Sequence, residues 1–174
     1  MVAAGLTTRE GRRPMADERL VRIYLQDHAA AMTATGALLR RAAHDVTRAE
    51  VRSILRDIAD RFDSDRGALA EVMRAIEVAP STVKNAAAWV GERAGRLKTN
   101  GRLTSRSPLS DIVELEALTL ALTSTALGWT TLIELSTHDR RLDEEMLRAT
   151  LRRTLDERRR VEVLRLHCVR ESLS

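Results

Sequence analysis

Apolar residues recur three and four positions apart over four long stretches of the chain, the spacing of one face of an α-helix. The first stretch is predicted to run from about Asp17 to His44, with Leu20, Ile23, Tyr24, Asp27, Ala31, Ala34 and Leu38 along its stripe and Asp17 as N-cap. The second runs from about Arg48 to Glu77. Its stripe, Val51, Leu55, Ile58, Phe62, Asp65, Leu69, Val72 and Ile76, alternates four and three without a break and has one polar member, Asp65. Thr47 and Glu50 ahead of it have the spacing of a capping box, a hydroxyl accepting from the third amide and a carboxylate reaching back. The third helix is expected to start at Pro108, behind Ser107 as N-cap, and to run to about Leu135. It is apolar nearly all round. Leu109, Ile112, Val113, Leu120 and Leu127 lie on one side, and Leu118, Leu122, Trp129 and Ile133 on the other. A helix of that kind is buried on two sides, and the second side is expected to face the crossover segment or a second subunit. The fourth starts between Asp139 and Asp143 and continues to the C-terminus, with Asp143, Glu144 and Glu145 in its first turn, where the helix dipole favours acids.

Residues 78–107 break this pattern. A short helix is predicted from Ser81 to about Ala94, followed by a loop-like stretch with Gly95 and Gly101. The turns between helices one and two and between three and four are short, so each pair is antiparallel. The long link between helices two and three lets helix three begin at the far end of the bundle. The expected fold is therefore all-α: one four-helix domain over residues 17–174 with a crossover at 78–107 that contains a short helix. Residues 1–16 read as a disordered tail, with Met15 as an alternative start.

Composition agrees with helices and narrows the function. The chain has 174 residues, enough for one domain with a real core. Ala, Leu and Arg dominate, and there are eight Gly, three Pro and four aromatic residues, Tyr24, Phe62, Trp89 and Trp129. A net charge of +4, from 29 basic and 25 acidic residues, does not by itself imply nucleic acid. One cysteine, Cys168, excludes an intramolecular disulfide and reads as a small buried hydrophobe. The longest uncharged run, Ala117 to Ile133, is short for a bilayer and rich in Ser and Thr. The expectation is a cytoplasmic protein that does not insert into a membrane. There is no Gly-rich phosphate loop, no Cys-x-x-Cys and no nucleophile elbow.

The charges of ERRRVEVLRLHC, residues 157–168, raise a sharper question. With Val161, Leu164, Leu166 and Val169 as the apolar stripe, Arg158, Glu162 and Arg165 fall inside it. Counted from the turns, Asp27 and Asp65 should sit level across the first antiparallel pair, and Glu116 and Glu162 across the second. The pattern predicts one inward carboxylate per helix near mid-bundle.

That layout resembles the ferritin-like bundles, the broad family that contains di-iron and di-manganese carboxylate proteins, and the SPLSDIVELEAL segment resembles uncharacterised bacterial members of this bundle type. The family's sites take a Glu from each of two helices and Glu-x-x-His from each of the other two. The resemblance places Asp27 and Glu116 at the single carboxylates. Asp65-x-x-Ala68 and Glu162-x-x-Arg165 stand where the Glu-x-x-His motifs would be, so both histidines are missing. Arg cannot ligate a metal, and a guanidinium aimed at the site repels one. Arg158 and Arg165 are within ion-pair reach of Glu162, and Arg66 can join from helix two. The expectation is an internal network of Asp27, Asp65, Arg66, Glu116, Arg158, Glu162 and Arg165 in place of a di-metal site, with no cofactor. Two other arrangements are weighed. One is an altered metal site drawing on Asp27, His28, Asp65, Glu116 and Glu162. The other is a rotation of the helices that brings some of these charges to solvent. His28 taken alone reads as a flank histidine bonded to a neighbour, and His167 and Cys168, adjacent on a helix, are badly placed to share a ligand.

The expected function is non-enzymatic: a structural or protein-interaction bundle, associating with a protein partner or with itself through the outer face of helix three. The alternatives are a divergent metal-binding oxidoreductase or storage protein, and an anion-binding module. The last would use Arg93, Arg96, Lys98, Arg102 and Arg106, a run with no acid. It has no aromatic platform for stacking bases, so nucleic acid is disfavoured.

Overall fold

The computed structural model describes residues 17–46, 48–79 and 108–173. They form four helices and, among the described residues, no strand: α1 (Glu18–Asp45), α2 (Ala49–Ala75), α3 (Pro108–Ser136) and α4 (Glu144–Leu173). The short helix expected at 81–94, Ser107, Thr47 of the capping box, Trp89 and the N-terminal tail lie outside the described residues.

Local chemistry sets the ends. The Asp17 carboxylate accepts from the Arg19 amide at 3.0 Å, the cap expected for α1. Asp143 caps α4 by accepting from the Met146 amide at 3.0 Å. Arg48 occupies the N-cap of α2, with no side-chain cap bond. At the other end of α2, Glu77 adopts φ 59°. Its amide donates to the Arg74 carbonyl, and that of Val78 to the Met73 carbonyl at 2.8 Å. These are the paired bonds of a Schellman motif, built on a glutamate where glycine is the unstrained residue.

Contacts between side chains give the directions. Arg48, at the start of α2, donates to Asp111 in the first turn of α3 and to Ser172 in the last turn of α4. The first turns of α2 and α3 therefore lie at one end of the bundle, with the last turn of α4, and α2 ends at the opposite end. α1 packs on α2 and α3, and α4 packs on α3 and α2; α1 and α4 are diagonal, as are α2 and α3. The α2–α4 contact is the most sparsely packed of the four.

The core lies along the axis. Phe62, Leu55, Ile58 and Leu69 enter from α2, Leu115, Leu118, Leu122, Trp129 and Leu132 from α3, and Leu147, Val161, Leu164 and Cys168 from α4. The expected α2 stripe faces inward as read. The α1 stripe does not. Leu25, His28, Met32, Thr35, Leu39 and Ala42 are buried, one position later than expected, while Leu20 and Ile23 are exposed. One residue is 100° on a helix, so the whole face turns. In α3 the Leu118 side faces the core, and Leu109, Leu120 and Leu127 point outward. Threonines in its apolar run donate to carbonyls four residues back, as Thr119 does to Leu115 and Thr125 to Ala121, which satisfies their hydroxyls without a partner on another helix. Of the described helices, α3 is the one long and apolar enough by composition to cross a membrane.

Candidate functional site

Polar residues run down the seam between α2 and α4. Arg48 pairs with Glu171 at 2.9 Å, Asp57 with Arg160 at 2.6 Å, and Asp65 with Arg153 at 2.8 Å. As the α2 number rises from 48 through 57 to 65, the α4 number falls from 171 through 160 to 153, which is the antiparallel register of the pair. Each rung places an arginine of one helix against a carboxylate of the other.

The rung at Asp65 is the most enclosed. Asp65 is fully buried, and three donors converge on it. Arg153 Nε and Nη2 reach Oδ1 at 3.0 and 2.8 Å, and Thr154 Oγ1 lies 3.0 Å from Oδ2. Arg153 Nη2 also donates to Thr150 Oγ1 at 2.9 Å, and that hydroxyl donates onward to the Met146 carbonyl. Burial nevertheless lifts the Asp65 carboxyl above its ordinary range, and Arg153 and Thr154 offset only part of that rise.

One helical turn along α4 lies Glu157, 1% exposed, with neither carboxyl oxygen hydrogen-bonded among the described residues. Desolvation is the main force on it and the Asp65 charge adds to it; together they outweigh Arg61, Arg153 and Arg160 and push the acid to about 8. At neutral pH the side chain is held chiefly as the uncharged acid. Asp57, the exposed acid of the middle rung, behaves oppositely. Arg61 and Arg160 both bond to it and hold it at about 2.

A second buried titratable group lies between α1 and α3. His28 is 8% exposed, stacked on Tyr24 with ring centroids 5.7 Å apart and planes within 7°. Its edge rests on Gly128, where an added Cβ would fall 1.7 Å from Nε2. Desolvation lowers its pKa more than the nearby Thr125 carbonyl raises it, so the ring is neutral at pH 7. His28 is thus a core histidine seated on a glycine, with Nε2 unbonded, and not on the flank of the bundle as the sequence suggested.

The predicted mid-bundle network assembles only in part. Asp65 is buried as expected, but its partner is Arg153 and not the arginines around Glu162. Asp27 is exposed, because the α1 face is rotated. Arg66 pairs with Asp63 on its own helix at 3.1 Å. Glu116 and Glu162 do sit level, since Arg165 bonds both, at 3.5 Å and 2.7 Å. They lie on the outer side of the α3–α4 seam, with side chains 52% and 39% exposed. Arg158 is half-buried, its Nε without a bond, and lies close enough to Glu162 to lower its pKa. The inward residue of α4 is Glu157. The signal for it was present: stepping back from Cys168 through Leu164 and Val161 in fours and threes lands on Glu157, Thr154, Thr150 and Leu147, all buried. Counting Leu166 and Val169 into the stripe turned the wheel toward Glu162; Leu166 is 41% exposed.

A di-metal site does not fit this donor set. Arg153 occupies the Asp65 carboxylate and Arg165 occupies those of Glu116 and Glu162, and among the described residues no three His, Cys, Asp or Glu side chains gather to hold a cation. Asp27 and His28 are adjacent on α1, one turned to solvent and the other inward, and cannot share an ion with that rung. Arg93, Arg96, Lys98, Arg102 and Arg106 lie outside the described residues.

At the end where α2 and α3 begin, Arg48 gathers α3 and α4. Besides Asp111, Glu171 and Ser172, it places Nη1 3.2 Å from the buried Cys168 Sγ, whose pKa burial raises. Beside this clasp, a cavity of about 10 Å³ between Val46, Val51, Leu55 and Leu115 has room for one water and none for a substrate.

Fold and site together define an all-α four-helix bundle with an ion-paired, partly buried polar seam. No family model, no curated protein and no solved structure matches the chain.

Proposed function

We propose that this chain is a non-enzymatic bundle of the one-crossover, ferritin-like kind, cytoplasmic, with a structural or protein-interaction role and an arginine–carboxylate seam where a metal pair stands in related folds. The observation that carries the reading is the engaged Asp65 carboxylate: both oxygens of this buried acid are already taken up, Oδ1 by two bonds from Arg153 and Oδ2 by one from Thr154, and a guanidinium lies where a cation would have to sit. The shared starting end of α2 and α3 supports the crossover, because a chain leaving the far end of α2 must travel the length of the bundle to begin α3.

Self-association through the outer face of α3 is supported by its exposed leucines. Leu109, Leu120 and Leu127 share the face of Glu116 and are 45%, 71% and 63% exposed. The Glu116–Arg165 pair sets the antiparallel register, so exposed Leu173 and Leu155 of α4 stand level with Leu109 and Leu127. A row of leucines on both sides of a seam is the composition of a helix-packing surface.

Elemental mass spectrometry of protein grown with iron, manganese and zinc tests the first part. A metal content near zero is expected; one or two ions per chain, lost in Asp65→Asn, would replace this reading with a metal-binding one. Light scattering tests the second. A dimer mass that falls to monomer in Leu120→Glu is expected, and a monomer mass at high concentration removes the interface.

A further inference from the structure

Glu157 is the one acid of the α2–α4 seam, among the described residues, that has no arginine bonded to it, although three arginines surround it. Arg61 of α2 and Arg160 of α4 both serve Asp57, and Arg153 serves Asp65. Asp57 therefore has one guanidinium more than its charge requires. Arg160 keeps a buried Nη1 with no acceptor. It stands three residues after Glu157 on the same helix, the spacing at which two side chains meet.

We propose that Glu157 is a proton-controlled switch for the α2–α4 seam: as the acid it leaves Arg160 on Asp57, and as the carboxylate it draws Arg160 off Asp57 and onto itself. The proton leaves the Glu157 carboxyl for bulk water, and the orphaned Arg160 Nη1 gains an acceptor. Asp57 keeps Arg61, so no carboxylate is left bare in either state. The rung between helices is exchanged for one within α4, which removes a tie across the seam that has the least packing to replace it. Four charged groups act on Glu157. They are Arg61 and Asp65 from α2 and Arg153 and Arg160 from its own helix, which are the groups that perturb it. The part of α3 that packs opposite carries no charge between Glu116 and Glu134, and α1 lies diagonally across the bundle from α4.

The transition falls near neutrality, because burial moves the Glu157 acid up to about 8. Carbon-detected NMR of the intact chain, labelled at Glu side-chain carboxyls, reads it directly. The expected result is one Glu resonance, absent in Glu157→Gln, that titrates near pH 8, with the Arg160 Nε resonance shifting over the same range. Asp57→Asn in the middle rung of the seam frees Arg160, and the Glu157 midpoint should then fall by at least about one unit. Asp63→Asn, an exposed acid six residues further along α2 that is served by Arg40 and Arg66, is the control and should leave the midpoint in place. Equal shifts in the two variants, or an Arg160 signal that stays still while Glu157 titrates, would overturn the exchange. A Glu157 midpoint at the ordinary value of glutamate would overturn the switch itself.

Discussion

Replacing Gly128 by alanine adds one methyl group in the middle of a helix, where the backbone alone would gain about 1 kcal/mol. The tertiary contact reverses the sign. The new Cβ would lie 1.7, 2.2 and 2.4 Å from Nε2, Cε1 and Cδ2 of His28, so the ring or the helix must give way by roughly 1.5–2 Å to regain ordinary contact. The ring has little freedom to do so, being buried and stacked on Tyr24 of its own helix. Overpacking on this scale costs about 3 kcal/mol, which leaves a net loss of about 2 kcal/mol. That is a large part of the stability of a domain of this size. Urea denaturation followed by far-ultraviolet circular dichroism measures it, with an unchanged slope showing that only stability has moved. The same substitution in a His28→Ala background should be neutral or stabilising by up to about 1 kcal/mol, because the obstruction is gone. A Gly128→Ala protein as stable as the wild type, or equal effects in the two backgrounds, would refute the seating of His28 on α3.

The remaining predictions concern the polar groups. Asp65→Ala strands Arg153, while the Thr154 hydroxyl keeps the Thr150 carbonyl at 3.1 Å; a broken buried pair costs about 3–5 kcal/mol, and because the Arg153 side chain is 46% exposed and can reach water, about 2–3 kcal/mol is expected in urea melts. Glu162→Gln, on the solvent side of the α3–α4 seam, should change stability by less than about 1 kcal/mol in the same assay. Glu77→Gly relieves the left-handed residue of the Schellman turn and should stabilise by about 1 kcal/mol, read as a higher urea midpoint. Glu157 and His28 act oppositely on the pH profile. The folded chain holds the Glu157 proton that the unfolded chain releases from about pH 4.5. The stability tied to that acid is therefore whole below the unfolded value and lost as pH rises through about 8, and Glu157→Gln should flatten this alkaline limb. His28 is lowered from 6.5, so its stability is whole above that value and is lost as pH falls below it. Wild type should weaken more than His28→Gln between pH 7 and pH 5 in thermal melts.

Much of the architecture followed from spacing alone. Four helices, their approximate ends, the Asp17 cap and the inward face of α2 came from periodicity and short turns, because a three-four repeat of large apolar residues has only one way to be buried. The facing of α1 did not. Two of its core positions are His28 and Thr35, polar residues made tolerable by Gly128 opposite one and by the Ala31 carbonyl accepting from the other. Neither support is visible along the α1 sequence, and the exposed Leu20 and Ile23 offered a more apolar stripe one residue away.

The charged layer divides in the same way. That carboxylates and arginines would meet within the bundle, and that Glu116 and Glu162 would be level, was contained in the chain, since rise per residue fixes height. The exposure of Asp27, Glu116 and Glu162 was decided by packing. Rotation about each helix axis depends on the packing of all four helices at once; a turn of about 140° exchanges Glu162 for Glu157, and one of about 100° sends Asp27 to solvent. Pairing across α2 and α4 likewise depends on their register. That register puts Arg153 on Asp65 and leaves Glu157, whose inward place the spacing from Cys168 already marks, without a bonded partner, which only the packing of α2 against α4 decides.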